Sequence, residues 1–199
     1  MLPTSQIRGL MDRSALIVID MQHDFLDPDA PYACADADPV IENTRRLCDV
    51  MRSRGAPVIY TREVHRADGV DRGREGDSEP VHCVEGTRGV EIVPRLLPHD
   101  GDYVVDKRRF SSFFQTDLAG LLNGLRAELI LVSGVTANAC VLTTVIDAYQ
   151  YDFHTVTIQD CVSSKVGLLL DENYNDLMRL YKFYSNPLRL DSFLTLLEE

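Results

Sequence analysis

Residues 15–20, Ala-Leu-Ile-Val-Ile-Asp, form an unbroken apolar run that ends in an acid. A run of this length without alternation is a strand buried on both faces, which is the signature of a parallel sheet. Four further strand-like runs follow: PVIYT (57–61), DYVVDK (102–107), ELILVSG (128–134) and HTVTIQD (154–160). Between and after them lie segments of helical period. Residues 39–54 place Val40, Ile41, Leu47, Val50 and Met51 on one face, with Pro39 in the first turn and Gly55 at the stop. Helices are also predicted over 116–126, with Thr116 as cap, over 138–150 and 171–183, and at a short tail, 191–198. Strands that alternate with helices through short connections predict an α/β chain. The expected architecture has three layers, α/β/α, with a mostly parallel, Rossmann-like central sheet. With 199 residues and no repeat or low-complexity linker, one domain spanning 1–199 is expected, able to bury roughly 70% of its unfolded surface. Residues 62–89 are the exception: polar, glycine-rich and without period, so this segment is functional or disordered.

Charge narrows the partners. Thirty-one acids against 20 bases leave −11, which argues against a nucleic-acid backbone or an anionic membrane surface. Residues 14–44 hold seven acids and no Lys or Arg; most of these read as solvated loop residues. The uncharged stretch 129–146 contains Ser, Gly, Thr and Asn, so a membrane span is not expected. There is no secretory apolar segment before residue 15. Five cysteines (34, 48, 83, 140 and 161) form no CxxC pair, which predicts a reducing, cytoplasmic setting. Only three of the 20 bases are lysines, at 107, 165 and 182, so few ammonium groups are open to tuning.

In open parallel sheets ligands bind beyond the carboxyl ends of the strands. Strand one ends at Asp20, strand three at Asp106–Lys107, and strand four runs through Gly134 toward Cys140. A carboxylate, an ammonium and a thiol thus meet on one rim. No GxGxxG follows a strand, so a dinucleotide site has little support. Cys140 falls in the first turn of its predicted helix, where amide dipoles and Lys107 would favour the thiolate. Asp20 could take the thiol proton and return it to a leaving amine. Turn 134–140 could offer amides to an oxyanion. Singly, each residue has an ordinary structural alternative: Cys as a small core residue, Asp as a cap, Lys as a solvated rim group.

Four segments carry a resemblance: VIDMQHDF (18–25), HCVEGTRGVEIVPRL (82–96), DKRRFSSFFQTDL (106–118) and GVTANACVLTTVIDAYQYDF (134–153). They resemble, in order, motifs of the isochorismatase-like cysteine hydrolase superfamily, which includes N-carbamoylsarcosine amidase, ureide amidohydrolase and nicotinamidase relatives. The resemblance implies Asp20 as general acid/base, Lys107 as the cation and Cys140 as the nucleophile. It also implies a cis peptide at Val135–Thr136, which aims the amides of Thr136 and Cys140 at an oxyanion. Thr136-Ala137 departs from the more usual Ala-Thr and adds a hydroxyl there. The implied reaction is hydrolysis of a small amide, carbamoyl or ureide C–N bond through a thioester. Gln22, Phe25, Arg109, Phe110 and Phe113 are the candidate substrate-binding residues, with core packing the alternative for the aromatics and an exposed rim the alternative for Arg109. The thiol chemistry requires no cofactor. Nicotinamidases hold a metal in a similar place, and Glu63, His65 and His82 match part of that set for a zinc- or iron-like ion. Here Glu stands for the usual Asp, and a further His is absent, with Asp71 nearby. Local hydrogen bonding in a loop is the weightier alternative for these residues. The short spacing of Lys107, Arg109 and Phe110 more closely resembles ureide amidohydrolases, N-carbamoylsarcosine amidase relatives and isochorismatases than nicotinamidases, and this resemblance implies a carbamoyl-amide or ureide hydrolase. Vinyl-ether hydrolysis of the isochorismatase type and a non-enzymatic scaffold are the other readings. The resemblance further implies a homo-oligomer, dimer or tetramer, for which Tyr174, Tyr181 and Tyr184 are candidate interface residues.

Overall fold

The computed structural model describes residues 2–164 and 171–198, with 171–174 described by backbone alone. Lys165 and the side chain of Tyr174 therefore lie outside the described residues. Helix α1 (Thr4–Gly9) leads into strand β1 (Ser14–Ile19) and then a single-turn helix, α2 (His23–Leu26). There follow α3 (Ala37–Ser53), β2 (Val58–Glu63), β3 (Tyr103–Lys107), α4 (Leu118–Gly124), β4 (Leu129–Val135) and α5 (Cys140–Gln150). The chain closes with β5 (His154–Ser163), α6 (Asp171–Tyr184), β6 (Asn186–Leu188) and α7 (Leu190–Glu198).

The six strands form one sheet in the order β3-β2-β1-β4-β5-β6, every neighbour pair parallel. Five strands and the main helices lie where the sequence places them. Helix α1 and strand β6 escape a reading by period, because six polar-rich residues and a three-residue Asn-Pro-Leu edge carry too little pattern. Strands β1 and β4 are buried at every position, as expected for central strands covered on both faces.

Two apolar clusters flank the sheet. One packs α1, α3 and α7 on Leu16, Val18, Leu129 and Leu131; the other packs α4, α5 and α6 on the alternate residues Ile17, Ile19, Ile130 and Val132. The candidate interface residue Tyr181 lies in the core. It is fully buried in the second cluster and its hydroxyl donates to the Ala137 carbonyl at 2.6 Å, because its position on α6 faces the sheet and not solvent. Tyr184 is half-buried, edge-on to Tyr149 at 5.6 Å. Among the described residues no helix is long and apolar enough to cross a membrane.

The strand order changes direction between β1 and β4, the topological switch point at which α/β sheets open a crevice. Glycine matters there. Gly134 has φ +119°, and a Cβ on it would sit 2.0 Å from the Ile19 carbonyl oxygen. Only a residue without a side chain lets β4 run this close to β1, while on its other side the ladder with β5 shifts register between Val132 and Gly134.

Candidate active site

The groups that meet at the switch point arrive from four elements. Asp20 follows β1 in a left-handed conformation, φ 51°, which turns its fully buried carboxylate inward. Glu63 and Lys107 end β2 and β3 and are paired in register, so their side chains emerge side by side on one face. Cys140 opens α5. Lys107 Nζ lies 2.7 Å from Asp20 Oδ2, 3.1 Å from Glu63 Oε2 and 3.6 Å from Cys140 Sγ. The thiol is also 3.5 Å from Glu63 Oε2. Thr61 donates from its hydroxyl to Asp20 Oδ1 at 2.7 Å, and Lys107 donates to the Arg109 carbonyl at 3.0 Å. None of the four is more than 2% exposed.

Their protonation follows from burial and the charge count. Burial works against the Lys107 ammonium, but Asp20, the Cys140 sulfur and Glu63 outweigh it and hold the charge firmly on. Burial also opposes the Glu63 carboxylate, yet Lys107, His65 and His82 hold it far below the usual carboxylate range. For Asp20, burial wins over the pull of Lys107, and the nearby Glu63 pushes its pKa further up. Burial likewise pushes the Cys140 thiol well up; Lys107 opposes this, while Glu63 and Asp20 reinforce it. The resting thiol is therefore protonated, which departs from the thiolate expected from Lys107 and the helix amides. One ammonium already faces two carboxylates, and a thiolate would be a third anion in a dry site.

The turn between β4 and α5 is pinned from several sides. Val135–Thr136 is a cis peptide, as the family resemblance implied. The Ala137 amide donates to the Ser163 carbonyl at 2.7 Å, and the Ser164 hydroxyl donates to the Asn138 side-chain oxygen. Among the described residues the amides of Thr136 and Cys140 donate to no protein acceptor.

The expected substrate contacts divide. Gln22 is fully buried, and its side-chain amide is consumed by backbone. Its Nε2 donates to the carbonyls of Glu63 and Val90, both at 2.8 Å, and its Oε1 accepts from the Glu63 amide at 2.9 Å. It clamps the strand ends and has no donor left for a ligand. Phe113 lies in the core beneath α5, stacked on Tyr151 and Phe153 at 5.2 and 6.1 Å, because its partners on α4 and α5 close over it. Phe25 is likewise buried, against Tyr32 and the His82 ring. Arg109 and Phe110 instead border an open cavity of about 600 Å³ together with Glu75, Phe114 and Thr143. Arg109 is tied to the 62–89 segment by donating to the Asp71 carbonyl at 2.6 Å.

That segment is ordered by tethers that its sequence does not advertise. The Asp24 carboxylate accepts from the Cys83 amide at 2.6 Å and lies so close to Gly89 that a Cβ there would overlap it. His65 and Val84 form a parallel bridge. The result is a buried group of Glu63, His65, Glu75 and His82, whose ligand atoms all lie within 4.8 Å of one another. His65 Nε2 is 3.3 Å from Glu63 Oε1, and His82 Nε2 is 3.1 Å from Glu75 Oε1. Glu63 thus faces the thiol cluster with one oxygen and the imidazoles with the other. Reading the sequence misses Glu63 as the partner of Lys107, though its place at a strand end beside another strand end was the available signal. It misses Glu75 because nothing in an aperiodic loop marks which acid turns inward.

Six parallel strands with a carboxylate, an ammonium and a thiol at the switch point define a Rossmann-like α/β protein with a buried Asp–Lys–Cys cluster. Over residues 14–179 the chain matches the family model described as Isochorismatase domain, and it belongs to that family. It is 30% identical over 175 residues to N-carbamoylsarcosine amidase from an Arthrobacter species, covering 85% of this chain and 66% of that protein, slightly under two thirds of the relative's length. It is 34% identical over 151 residues to a probable inactive nicotinamidase from Arabidopsis thaliana, covering 73% and 77%. Among solved structures, the pyrazinamidase of Pyrococcus horikoshii in complex with zinc superposes with a TM-score of 0.80 at 26% identity, covering 89% of this chain and 98% of that one.

Proposed function

We propose that this chain, acting as a single domain, is a cysteine-dependent amidohydrolase that cleaves the C–N bond of a small amide, carbamoyl or ureide substrate through a thioester. The observation that carries the reading is the dry cluster in which Lys107 Nζ sits 2.7 Å from Asp20 and 3.6 Å from Cys140 Sγ. Its relationship to an N-carbamoylsarcosine amidase supports the substrate class.

The environments of the two carboxylates separate their roles. Glu63 stays ionised, whereas Asp20, with its pKa raised, is suited to accept a proton. As Cys140 Sγ attacks the carbonyl carbon, its proton passes to Asp20. Lys107 balances the negative charge shared by sulfur and carboxylate. The carbonyl oxygen, now an oxyanion, accepts from the amides of Thr136 and Cys140. Collapse breaks the C–N bond, and Asp20 gives its proton to the leaving nitrogen. Water then attacks the thioester, returns one proton to Asp20 and releases the acid, and the thiol recovers its hydrogen from Asp20.

No cofactor enters these steps. A divalent ion would be held by Glu63, His65 and His82, whose buried imidazole and carboxylate donors suit zinc or iron. Among the described residues the buried His65 Nδ1 has no hydrogen-bond partner, which fits a ring oriented by something other than ordinary bonding. When bound, such an ion supplies positive charge beside Glu63.

Ammonia release from nicotinamide, biuret, carbamoyl-amino acids and ureidoacrylate tests the reading. Activity on a carbamoyl or ureide substrate that vanishes in Cys140→Ala and after iodoacetamide treatment is expected. Full activity of alkylated protein, or ammonia release by Cys140→Ala, would refute it, and turnover of a vinyl ether alone would assign the other chemistry.

A further inference from the structure

Helix α6 carries Leu177, Met178, Tyr181 and Tyr184 at helical spacing, and this stripe packs into the second apolar cluster. Tyr181 is fully buried, whereas the nearby Leu180 and Phe183 are exposed. A tyrosine buried this deeply needs a partner for its hydroxyl. Tyr181 finds one 44 residues away in the chain, donating to the Ala137 carbonyl at 2.6 Å. Ala137 is also fully buried and has no polar side chain of its own, so this donor reaches the turn between β4 and α5 from a remote element.

Ala137 lies between Thr136 and Cys140, whose amides donate to no protein acceptor among the described residues. The peptides around them are held. The Thr136 carbonyl accepts from the amides of Ala139 and Val141, both at 3.1 Å, and the Ala137 amide donates to the Ser163 carbonyl at 2.7 Å. These bonds join main chain to main chain, so no single side chain carries them. The Ala137 carbonyl is different, because its donor among the described residues is a side-chain hydroxyl. Without that hydroxyl a buried carbonyl is left unsatisfied, which is costlier than losing a solvated bond. The peptide between Ala137 and Asn138 then gains by rotating toward another donor. Rotation there is passed back to Thr136 and on to Cys140, and amides serve an oxyanion only when they are aimed before its charge develops.

We propose that Tyr181 is a positioning residue for the hydrolysis: its hydroxyl fixes the Ala137 peptide and so keeps the amides of Thr136 and Cys140 aimed at the oxyanion. The inference rests on the amidohydrolase reading above and adds to it a residue of α6, outside the cluster of Asp20, Lys107 and Cys140. Tyr181 acts through the backbone, and no proton or bond changes hands at its hydroxyl. Two properties of the site thereby separate. The reactivity of the thiol depends on its charged neighbours, whereas stabilisation of the oxyanion depends on the turn. Tyr181 serves the second and not the first.

The test compares the full chain with Tyr181→Phe, which keeps the ring in the core and removes only the hydroxyl. Two reactions of Cys140 are followed. Ammonia release from an amide passes through an oxyanion; alkylation by iodoacetamide, read by mass spectrometry of the Cys140 peptide, displaces iodide and does not. Tyr181→Phe should lower kcat about 10–100-fold with KM within about twofold, since a misplacement of about 1 Å can cost 10²-fold in rate. Its alkylation rate should stay within about twofold of the wild type, because the thiol and its neighbours are untouched. Ser185→Ala removes another buried hydroxyl, paired with Thr157 at 2.8 Å just beyond α6, and should keep the wild-type kcat. Hydrogen exchange at the amides of Ala137, Ala139 and Val141 should quicken in Tyr181→Phe and not in Ser185→Ala. A kcat in Tyr181→Phe within about twofold of wild type would overturn the proposal. So would an equal loss of ammonia release and alkylation, or a loss in Ser185→Ala as large as in Tyr181→Phe, since either would mean general loosening. Failure of the wild type to release ammonia from any of the amides would sink the amidohydrolase reading. Exchange then decides the anchor by itself: unchanged rates in Tyr181→Phe overturn it and faster rates uphold it. The thermal midpoint of each variant verifies its fold.

Discussion

Replacing Gly134 by Ala tests how closely the site depends on the contact between β1 and β4. A Cβ at this position would lie 2.0 Å from the Ile19 oxygen, 2.6 Å from its nitrogen and 2.8 Å from its carbonyl carbon, all backbone atoms of a central strand. The first distance is about 1.4 Å short of the 3.4 Å at which ordinary contact begins. No rotamer relieves this, because the obstruction is main chain on both sides. The φ of +119° adds its own penalty for a residue with a side chain. Backbone strain of this kind costs of order 1–3 kcal/mol, and overpacking a filled interior about 1–3 kcal/mol more. With a urea dependence of about 2–3 kcal/mol/M, the midpoint should fall by roughly 0.7–3 M. Activity should fall further than stability does. Ile19 is bonded to Asp20, and a shift of about 1 Å at a reacting group can cost 10²-fold in rate. The assay pairs urea unfolding followed by circular dichroism with ammonia release well below the transition. A midpoint within about 0.3 M of wild type, together with unchanged kcat, would show that β1 and β4 can separate freely and would refute this reasoning.

Lys107→Met should be among the most damaging single changes, since it strands Asp20 and Glu63 as buried carboxylates without a cation; a loss of about 3–5 kcal/mol in urea unfolding is expected, and a loss below about 1 kcal/mol would contradict the charge count. The kcat/KM profile should fall on the acid side at a pH above the ordinary aspartate value of 3.8, because Asp20 must be ionised to accept the thiol proton and burial raises its pKa against the pull of Lys107. A profile that stays flat into the ordinary aspartate range would remove Asp20 as the base. Phe113→Ala should cost about 3–5 kcal/mol of stability while leaving KM unchanged, since the ring is stacked in the core; a raised KM with little loss of stability would return it to the pocket wall.

The layered fold and the meeting of Asp20, Lys107 and Cys140 were legible for one reason: both are written in local pattern. Unbroken apolar runs such as 15–20 and 129–132 announce strands covered on both faces, and parallel strands put their carboxyl ends on one rim. A residue that ends such a run is therefore placed by its position in the sequence, as Asp20, Lys107 and the turn toward Cys140 are. The edges were not legible for the same reason, since Asn186–Leu188 is too short to carry a period. Aromatic identity also says little about whether a ring faces a pocket or a core. Phe110 and Phe113 are three residues apart, yet one borders the open cavity and the other is buried.

Chain order alone thus dictates an α/β sheet and the three groups that meet at its switch point, because strand ends and helix starts are short-range features. Tertiary structure decides their chemical state and their neighbours. It brings in Glu63 as a second carboxylate against the one ammonium, which keeps the Cys140 thiol protonated at rest. It spends the amide of Gln22 on the backbone and turns Tyr181 under the turn between β4 and α5. It also selects Glu75, out of a polar segment rich in acids, to face two imidazoles. Each of these outcomes depends on distances between residues remote in the chain and on the exclusion of water from between them, and neither is encoded in any local pattern of residues.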